Sequence, residues 1–388
     1  MPQLPIYLDN NATTPVDPRV LEAMLPYFRE QFGNAASRQH AFGWTANESV
    51  EIAREQVAKL IGADPAEIIF TAGATESDNL AFKGVFESYA GKGNHLITCV
   101  TEHKAVLDTC AHLEKLGAEI TYLGVDHRGQ IDLAALEAAI RPTTILIALM
   151  YANNETGTIF PVQAIGAIAK KHGVIFFSDA TQAVGKIPVQ VLPDEIDLLA
   201  LSAHKIYGPK GVGALYVRRR NPRVKLIAQM DGGGQERGMR SGTLNVPGIV
   251  GLGKAADCCR LELEAEGQRL RKLRDRLEQS LLALDDVMVN GDTSDRLPQV
   301  SNLSFGQVEG KSLLLGFTKN IAVAAGSACT SASLAPSYVL KAMGLSDERA
   351  HASIRFSLGR FTTEEDIDYT IQAVTETVNN LRSLNLFV

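Results

Sequence analysis

Short runs that are apolar on both faces alternate along this chain with stretches in which apolar residues recur every three or four positions. Runs of the first kind cover residues 68–71, 96–101, 120–123, 145–151, 174–178, 198–202 and 213–217. A strand with no polar face must be covered above and below, and helices between such strands favour parallel crossovers. The pattern therefore predicts an α/β fold with a mainly parallel sheet clad by helices on both sides.

Beyond residue 255 the texture changes. Leu270, Leu273, Leu277, Leu281 and Leu284 form one stripe on a charged helix, and residues 300–305 read as a short strand. Ile367, Ile371, Val374, Val378 and Leu381 mark a final helix, opened by Thr362-Thr363-Glu364-Glu365. The expected division is a segment 1–18 that joins the small domain, a large domain 19–255, and a smaller α+β domain 256–388.

Composition narrows the classes of function. A chain of 388 residues, 45% hydrophobic and 21% charged, can bury the cores of two domains. A net charge of −6 argues against a nucleic-acid or anionic-membrane partner, and the Arg218-Arg219-Arg220 run reads as a solvated strand end. No apolar run is long enough to cross a bilayer and Met1-Pro2-Gln3-Leu4-Pro5 has no signal-peptide character, so the expected compartment is the cytoplasm. The five cysteines, at 99, 110, 258, 259 and 329, follow neither a disulfide nor a zinc pattern.

Candidate chemistry gathers at the ends of the predicted strands. Ser178-Asp179-Ala180-Thr181-Gln182 closes one apolar run and Ser202-Ala203-His204-Lys205 closes another. Singly, such an aspartate reads as a helix cap and such a lysine as a surface cation. Together they are the acid and amine that pyridoxal 5'-phosphate requires: the lysine condenses with its aldehyde, and the carboxylate keeps the pyridine nitrogen protonated. A third element, Thr71-Ala72-Gly73-Ala74-Thr75-Glu76, links a strand to a helical stretch and offers a phosphate the amides of a helix N-terminus with the Thr75 hydroxyl. Separately, residues 326–337 are almost wholly small and uncharged. Such a loop cannot hold itself by burial, so its Cys329 is expected to be exposed and mobile.

The motifs Leu8-Asp9-Asn10-Asn11-Ala12-Thr13-Thr14, Gly73-Ala74-Thr75-Glu76-Ser77-Asp78-Asn79, Ala152-Asn153-Asn154-Glu155-Thr156-Gly157, Ser202-Ala203-His204-Lys205, Arg240-Ser241-Gly242-Thr243 and Gly326-Ser327-Ala328-Cys329-Thr330 occur in order. As an ordered set spanning nearly the whole chain, they resemble the NifS/IscS-type cysteine desulfurases of the class V aminotransferase superfamily. That resemblance implies a pyridoxal-phosphate enzyme of fold type I, a homodimer that converts L-cysteine to L-alanine and leaves the sulfur as a persulfide on Cys329. It implies that Lys205 holds the cofactor, Asp179 pairs with the ring nitrogen and Gln182 bonds the ring oxygen. Ala74, Thr75, Ser202 and His204 would bind the phosphate, with Thr243 reaching the phosphate of the neighbouring subunit.

His103 would stack over the ring and share proton transfer with Lys205, while Arg355 would grip the substrate carboxylate with Asn154 beside the cofactor. Arg360 is expected to pair with an acidic neighbour instead. No resident metal is implied, only a transient iron–sulfur contact through Cys329. The sulfur would pass to acceptor proteins such as an iron–sulfur scaffold. The chain stops soon after its last helix, where relatives often carry a longer tail that helps dock that scaffold, so the acceptor is left open. Competing readings are a selenocysteine lyase, a class V aminotransferase, or a catalytically silent sulfur-carrier binding protein.

Overall fold

The computed structural model describes residues 2–325 and 335–385. Thirteen strands occur among them: β1 Ile6–Tyr7, β2 Ile68–Thr71, β3 His95–Cys99, β4 Glu119–Leu123, β5 Thr144–Ala148, β6 Ile175–Asp179, β7 Leu198–Ser202, β8 Gly213–Val217, β9 Val287–Val289, β10 Val300–Phe305, β11 Ile321–Ala322, β12 Ala324–Ala325 and β13 Ser353–Ser357. A seven-stranded sheet runs in the order β2-β8-β7-β6-β5-β3-β4. The pairs from β7 through β6, β5 and β3 to β4 are parallel, whereas β8 is antiparallel to both β7 and β2.

All residues of β2, β3, β5, β6, β7 and β8 are buried, as their two-faced apolar composition requires. One face carries Ile97, Ile147, Phe176, Leu199 and Leu201, and the other Leu96, Ile145, Phe177, Leu198 and Ala200 under the helices Ala74–Ser88 and Lys104–Glu114. The edge strand β4 is more open, with only Leu123 of its five residues buried.

A second sheet, β12-β13-β10-β9, is antiparallel and packs the leucine stripe of one long helix against the final helix, Glu364–Asn385. The final helix begins on a reciprocal cap: the Thr363 amide donates to Asp366, and the Asp366 amide donates to the Thr363 hydroxyl. The long helix, Val246–Leu282, crosses the expected boundary at residue 255. Its first half, through Cys259, packs in the large core, and Leu270, Leu273, Leu277 and Leu281 pack in the small one. The two layers are thus joined by an unbroken helix instead of a linker.

The N-terminal segment stitches the layers together a second time. β1 pairs in parallel with β11, and Asp9 bridges to Ser357 at the end of β13. Asn11 then turns back toward the large sheet, donating to the Asn154 carbonyl at 3.0 Å. The arginine run departs from its expected solvation. Arg219 and Arg220 are exposed, but Arg218, the residue after β8, is buried: it pairs with Asp197 at 3.3 Å and donates to the Val191 and Asn221 carbonyls. Among the described residues no helix is long and apolar enough to cross a membrane.

Candidate active site

The carboxyl ends of β3, β5, β6 and β7 open into a cavity of about 1100 Å³. Ala74, Thr75, His103, Asn154, Asp179, Gln182, Ser202, His204, Lys205 and Arg355 all line it. Ten residues scattered over almost 300 positions are brought to one cavity because parallel strands end on the same edge and the small sheet closes over it. Thr243 is not among them; it is exposed and lies outside this chain's cavity. Cys329 lies outside the described residues.

The phosphate side of the cavity is the turn after β2. Gly73 takes φ +151° and ψ 177°, a conformation that side chains exclude, and precedes the helix Ala74–Ser88, which has no side-chain cap. A Cβ on the opposing Gly213 would fall 2.6 Å from the Leu201 carbonyl oxygen and 2.7 Å from Gly73 Cα, so two glycines let the turn lie flat on the sheet. Glu76 clamps the turn from outside, accepting from the Ala72 amide at 2.9 Å and pairing with Arg240 at 2.7 Å. Ser202 faces Gly73 across the gap. His204 shares a hydrogen bond with the Thr13 hydroxyl at 3.2 Å; burial, then the charges of Lys205, Lys210 and Lys186, bring its pKa down to about 4.

Lys205 lies in the short turn Ala203–Lys205 that ends β7. Its Nζ donates to the carbonyls of Asn11 at 2.5 Å and Ala12 at 2.7 Å. Asp179 ends β6 and accepts from the Thr181 amide at 2.9 Å. His103 caps the helix Lys104–Glu114, its Nδ1 accepting the Ala105 amide at 3.1 Å. In the neutral ring this bond places the proton on Nε2. Burial outweighs the pull of Asp179 and, with Lys205, lowers the His103 pKa.

Behind Asp179 stand two further buried carboxyls. Neither oxygen of Asp78 has a hydrogen-bond partner, and Glu102 uses only Oε1, on the Met150 amide at 2.7 Å. Burial, followed by the charges of Asp179 and Glu102, lifts Asp78 well above the usual carboxylate range. Burial does the same to Glu102 against the Met150 bond. Both are thus driven to the neutral acid, which avoids three like charges at one buried strand end.

On the opposite wall, Arg355 in β13 donates to the Asn154 carbonyl at 2.9 Å and to Asp9 at 2.6 Å, leaving its Nε without a partner. Arg360 is spent elsewhere, on Asp17 at 2.7 Å and Glu266 at 2.8 Å over the Tyr207 ring. Cys99, Cys110, Cys258 and Cys259 are free and buried. Burial raises all four thiols, Cys99 and Cys259 to about 12, so none is a ready nucleophile.

Sequence reasoning assigned no role to Asp9, the Asn11 and Ala12 carbonyls, Glu76, Asp78, Glu102 or Arg240. Asp9, Glu76 and Asp78 lie inside motifs that were visible, but the ion pairs of the first two and the burial of Asp78 and Glu102 appear only in the fold. Backbone carbonyls leave no mark in a sequence.

The class-V aminotransferase model matches residues 6–370, and the chain belongs to that family. Within it, the chain is 60% identical over 384 residues to the cysteine desulfurase IscS of Anaeromyxobacter sp. strain Fw109-5, covering 99% of this chain and 95% of that one. Identity to the cysteine desulfurase IscS of Escherichia coli O139:H28 is 57% over 385 residues, with the same coverage. Among solved structures, a NifS-like protein superposes with a TM-score of 0.91 at 40% identity, covering 97% of this chain and all of that one. SspA in complex with cysteine gives 0.82 at 39% identity, covering 92% and 100%.

The residues present fit pyridoxal 5'-phosphate, the cofactor of this family. The cavity joins an uncapped helix N-terminus, a strand-end acid and a lysine, and its wall carries the buried, unpartnered atoms Asn154 Oδ1, Thr181 Oγ1 and Arg355 Nε. Unpaired buried polar atoms on one surface are what a polar ligand completes.

Proposed function

We propose that this protein is a cysteine desulfurase that takes the sulfur of L-cysteine onto Cys329 as a persulfide and releases L-alanine. The observation that carries this reading is the single cavity in which Lys205, Asp179, the helix Ala74–Ser88 and Arg355 face one another. When bound, the cofactor supplies an electron sink that lets the substrate lose its α-proton and weakens its Cβ–S bond.

The chain's own groups do the rest. Lys205 tethers the cofactor and, once released, moves protons with an amine that the Asn11 and Ala12 carbonyls have held in place. Asp179 would meet the ring nitrogen and Gln182 the ring oxygen. Asn154 would border the cofactor, while Ala74, Thr75, Ser202 and His204 would take its phosphate. His103 would stack over the ring and offer Nε2–H; it can accept a proton only by giving up its Ala105 amide bond at Nδ1. Arg355 offers the α-carboxylate its remaining N–H groups in a fork.

The Cys329 thiolate attacks the substrate sulfur, forming the S–S bond as the Cβ–S bond breaks. Its electron pair leaves with the carbon fragment, which protonation converts to alanine. The four buried thiols make poor rivals for this step.

A second copy of the chain would cover exposed apolar side chains of the N-terminal helices and the segment between them, among them Leu21, Leu25, Phe28, Phe32, Phe42 and Trp44, with the Phe32 and Phe42 ring centroids 5.3 Å apart. Exposed Thr243 would then serve the partner's phosphate. The free thiols suit the cytoplasm, and the acceptor is a sulfur-accepting protein such as an iron–sulfur scaffold.

The test is Cys329→Ser holoenzyme mixed with L-cysteine. It should keep its colour and bind substrate yet form neither alanine nor persulfide; alanine at the parent rate would assign the sulfur chemistry to another group.

A further inference from the structure

Lys186 stands four residues beyond Gln182 in the turn after β6, and its Nζ donates to Gln182 Oε1 at 3.2 Å. The other end of the same amide, Nε2, donates to the Asn11 carbonyl at 3.0 Å. That carbonyl also receives Lys205 Nζ at 2.5 Å. A glutamine side chain is nearly symmetric in shape, so its orientation is decided by what its two ends meet. Here one end meets a group that donates and the other a carbonyl that can only accept. Gln182 and Asn11 both line the cavity, and the amide so held puts Nε2 against the Asn11 carbonyl with a second N–H to donate.

We propose that Lys186 is a positioning residue that locks Gln182 as a hydrogen-bond donor toward the oxygen of the cofactor ring. This rests on the reading above, in which Gln182 meets that oxygen. Without Lys186 the amide can turn over and present oxygen lone pairs to an oxygen that carries negative charge. The groups facing Lys186 are Lys205, Arg355, Glu266 and Cys259. Burial, then the Lys205 charge, brings the Lys186 ammonium down to about 7. A neutral amine keeps N–H donors, so the lock persists on both sides of that pH.

The experiment uses holoenzyme and two readouts that need no turnover: the pH midpoint of the cofactor's visible absorption change, and the rate at which cofactor is lost to buffer. A donor to the ring oxygen stabilises its anionic form, so losing the donor raises the midpoint. Lys186→Met should raise it by roughly half to one pH unit, the equivalent of one hydrogen bond, and speed cofactor loss. Lys186→Arg, which keeps a donor, should restore most of both.

Gln182→Ala should itself raise the midpoint, and adding Lys186→Met to it should produce less than half of the shift seen alone. If Gln182→Ala shifts the midpoint and Lys186→Met does not, the proposal is overturned. A Lys186→Met shift of full size in the Gln182→Ala background also overturns it, because the lysine would then act by its charge alone. A silent Gln182→Ala would instead sink the reading of Gln182 beneath it. Should the methionine variant lose native circular dichroism, Lys186→Leu with a Lys186→Arg control serves the same comparison.

Discussion

Replacing Arg355 by alanine should lower kcat/KM for L-cysteine by roughly 30- to 5,000-fold, which follows from losing a buried charged pair worth about 2–5 kcal/mol. The structure separates this loss from a second one. The Arg355 side chain is 4% exposed and its partner Asp9 21%, so truncation also strands a mostly buried carboxylate, while the Asn154 carbonyl keeps its bond from Asn11. Leaving such groups unpaired costs about 1–3 kcal/mol of stability, and this part appears in denaturant melts of resting enzyme with no substrate present. Adding Asp9→Asn to Arg355→Ala should recover stability by removing the stranded charge, yet recover none of the lost kcat/KM. Initial rates of alanine formation across a cysteine titration, beside urea melts of both variants, measure the two effects. A kcat/KM within about threefold of the parent would refute the assignment of Arg355 to the substrate carboxylate. Rescue of kcat/KM by Asp9→Asn would show that the stranded acid, not the missing grip, had slowed the enzyme.

Asp78→Asn should stabilise the protein progressively as pH rises. The folded-state pKa of Asp78 lies above its unfolded value near 3.8, so the folded chain keeps a proton the unfolded chain has lost, and stability falls with pH until the folded pKa is passed. An amide has no such slope. The melting difference between variant and parent should therefore widen from about pH 4 upward; a constant difference contradicts a neutral Asp78. Gly73→Ala forces a side chain into φ +151° and should cost about 1–3 kcal/mol while displacing the amides of the helix Ala74–Ser88. Cofactor loss on gel filtration should speed up, and unchanged retention would show that the turn does not shape the phosphate site.

The parallel core was readable because strands buried on both faces must be mainly apolar, and runs such as 174–178 and 198–202 are apolar up to a closing serine. Asp179 and Lys205 were readable because they end such runs. What escaped depends on distance along the chain. β1 has two residues, too few for a periodicity, and its partners lie more than 300 positions away. Asp9 could be quoted within a motif, but nothing local shows that it holds Arg355. Lys186 reads as an ordinary surface lysine until its bond to Gln182, four residues earlier, is seen. Arg218 was misjudged because three arginines in a row suggest solvent, while Asp197 and the Val191 carbonyl, more than 20 positions away, hold the first one inside the protein.

The threading of residues 6–12 between the two sheets has a consequence for synthesis. This segment leaves the ribosome more than 300 residues before its partners: Ile321 and Ala322 for β1, Arg355 for Asp9, Ser357 for Asn10 and Asn11. At translation speeds of about 5–20 residues per second the segment waits roughly 15–60 s for them. A chain interrupted before β13 would already carry Lys205 and the Gly73 turn, but would lack the strand that holds Arg355 and anchors Asn10 and Asn11. Completion of the polypeptide is thereby a checkpoint on reactivity, and a ribosome-bound fragment has no finished pocket in which to break a carbon–sulfur bond.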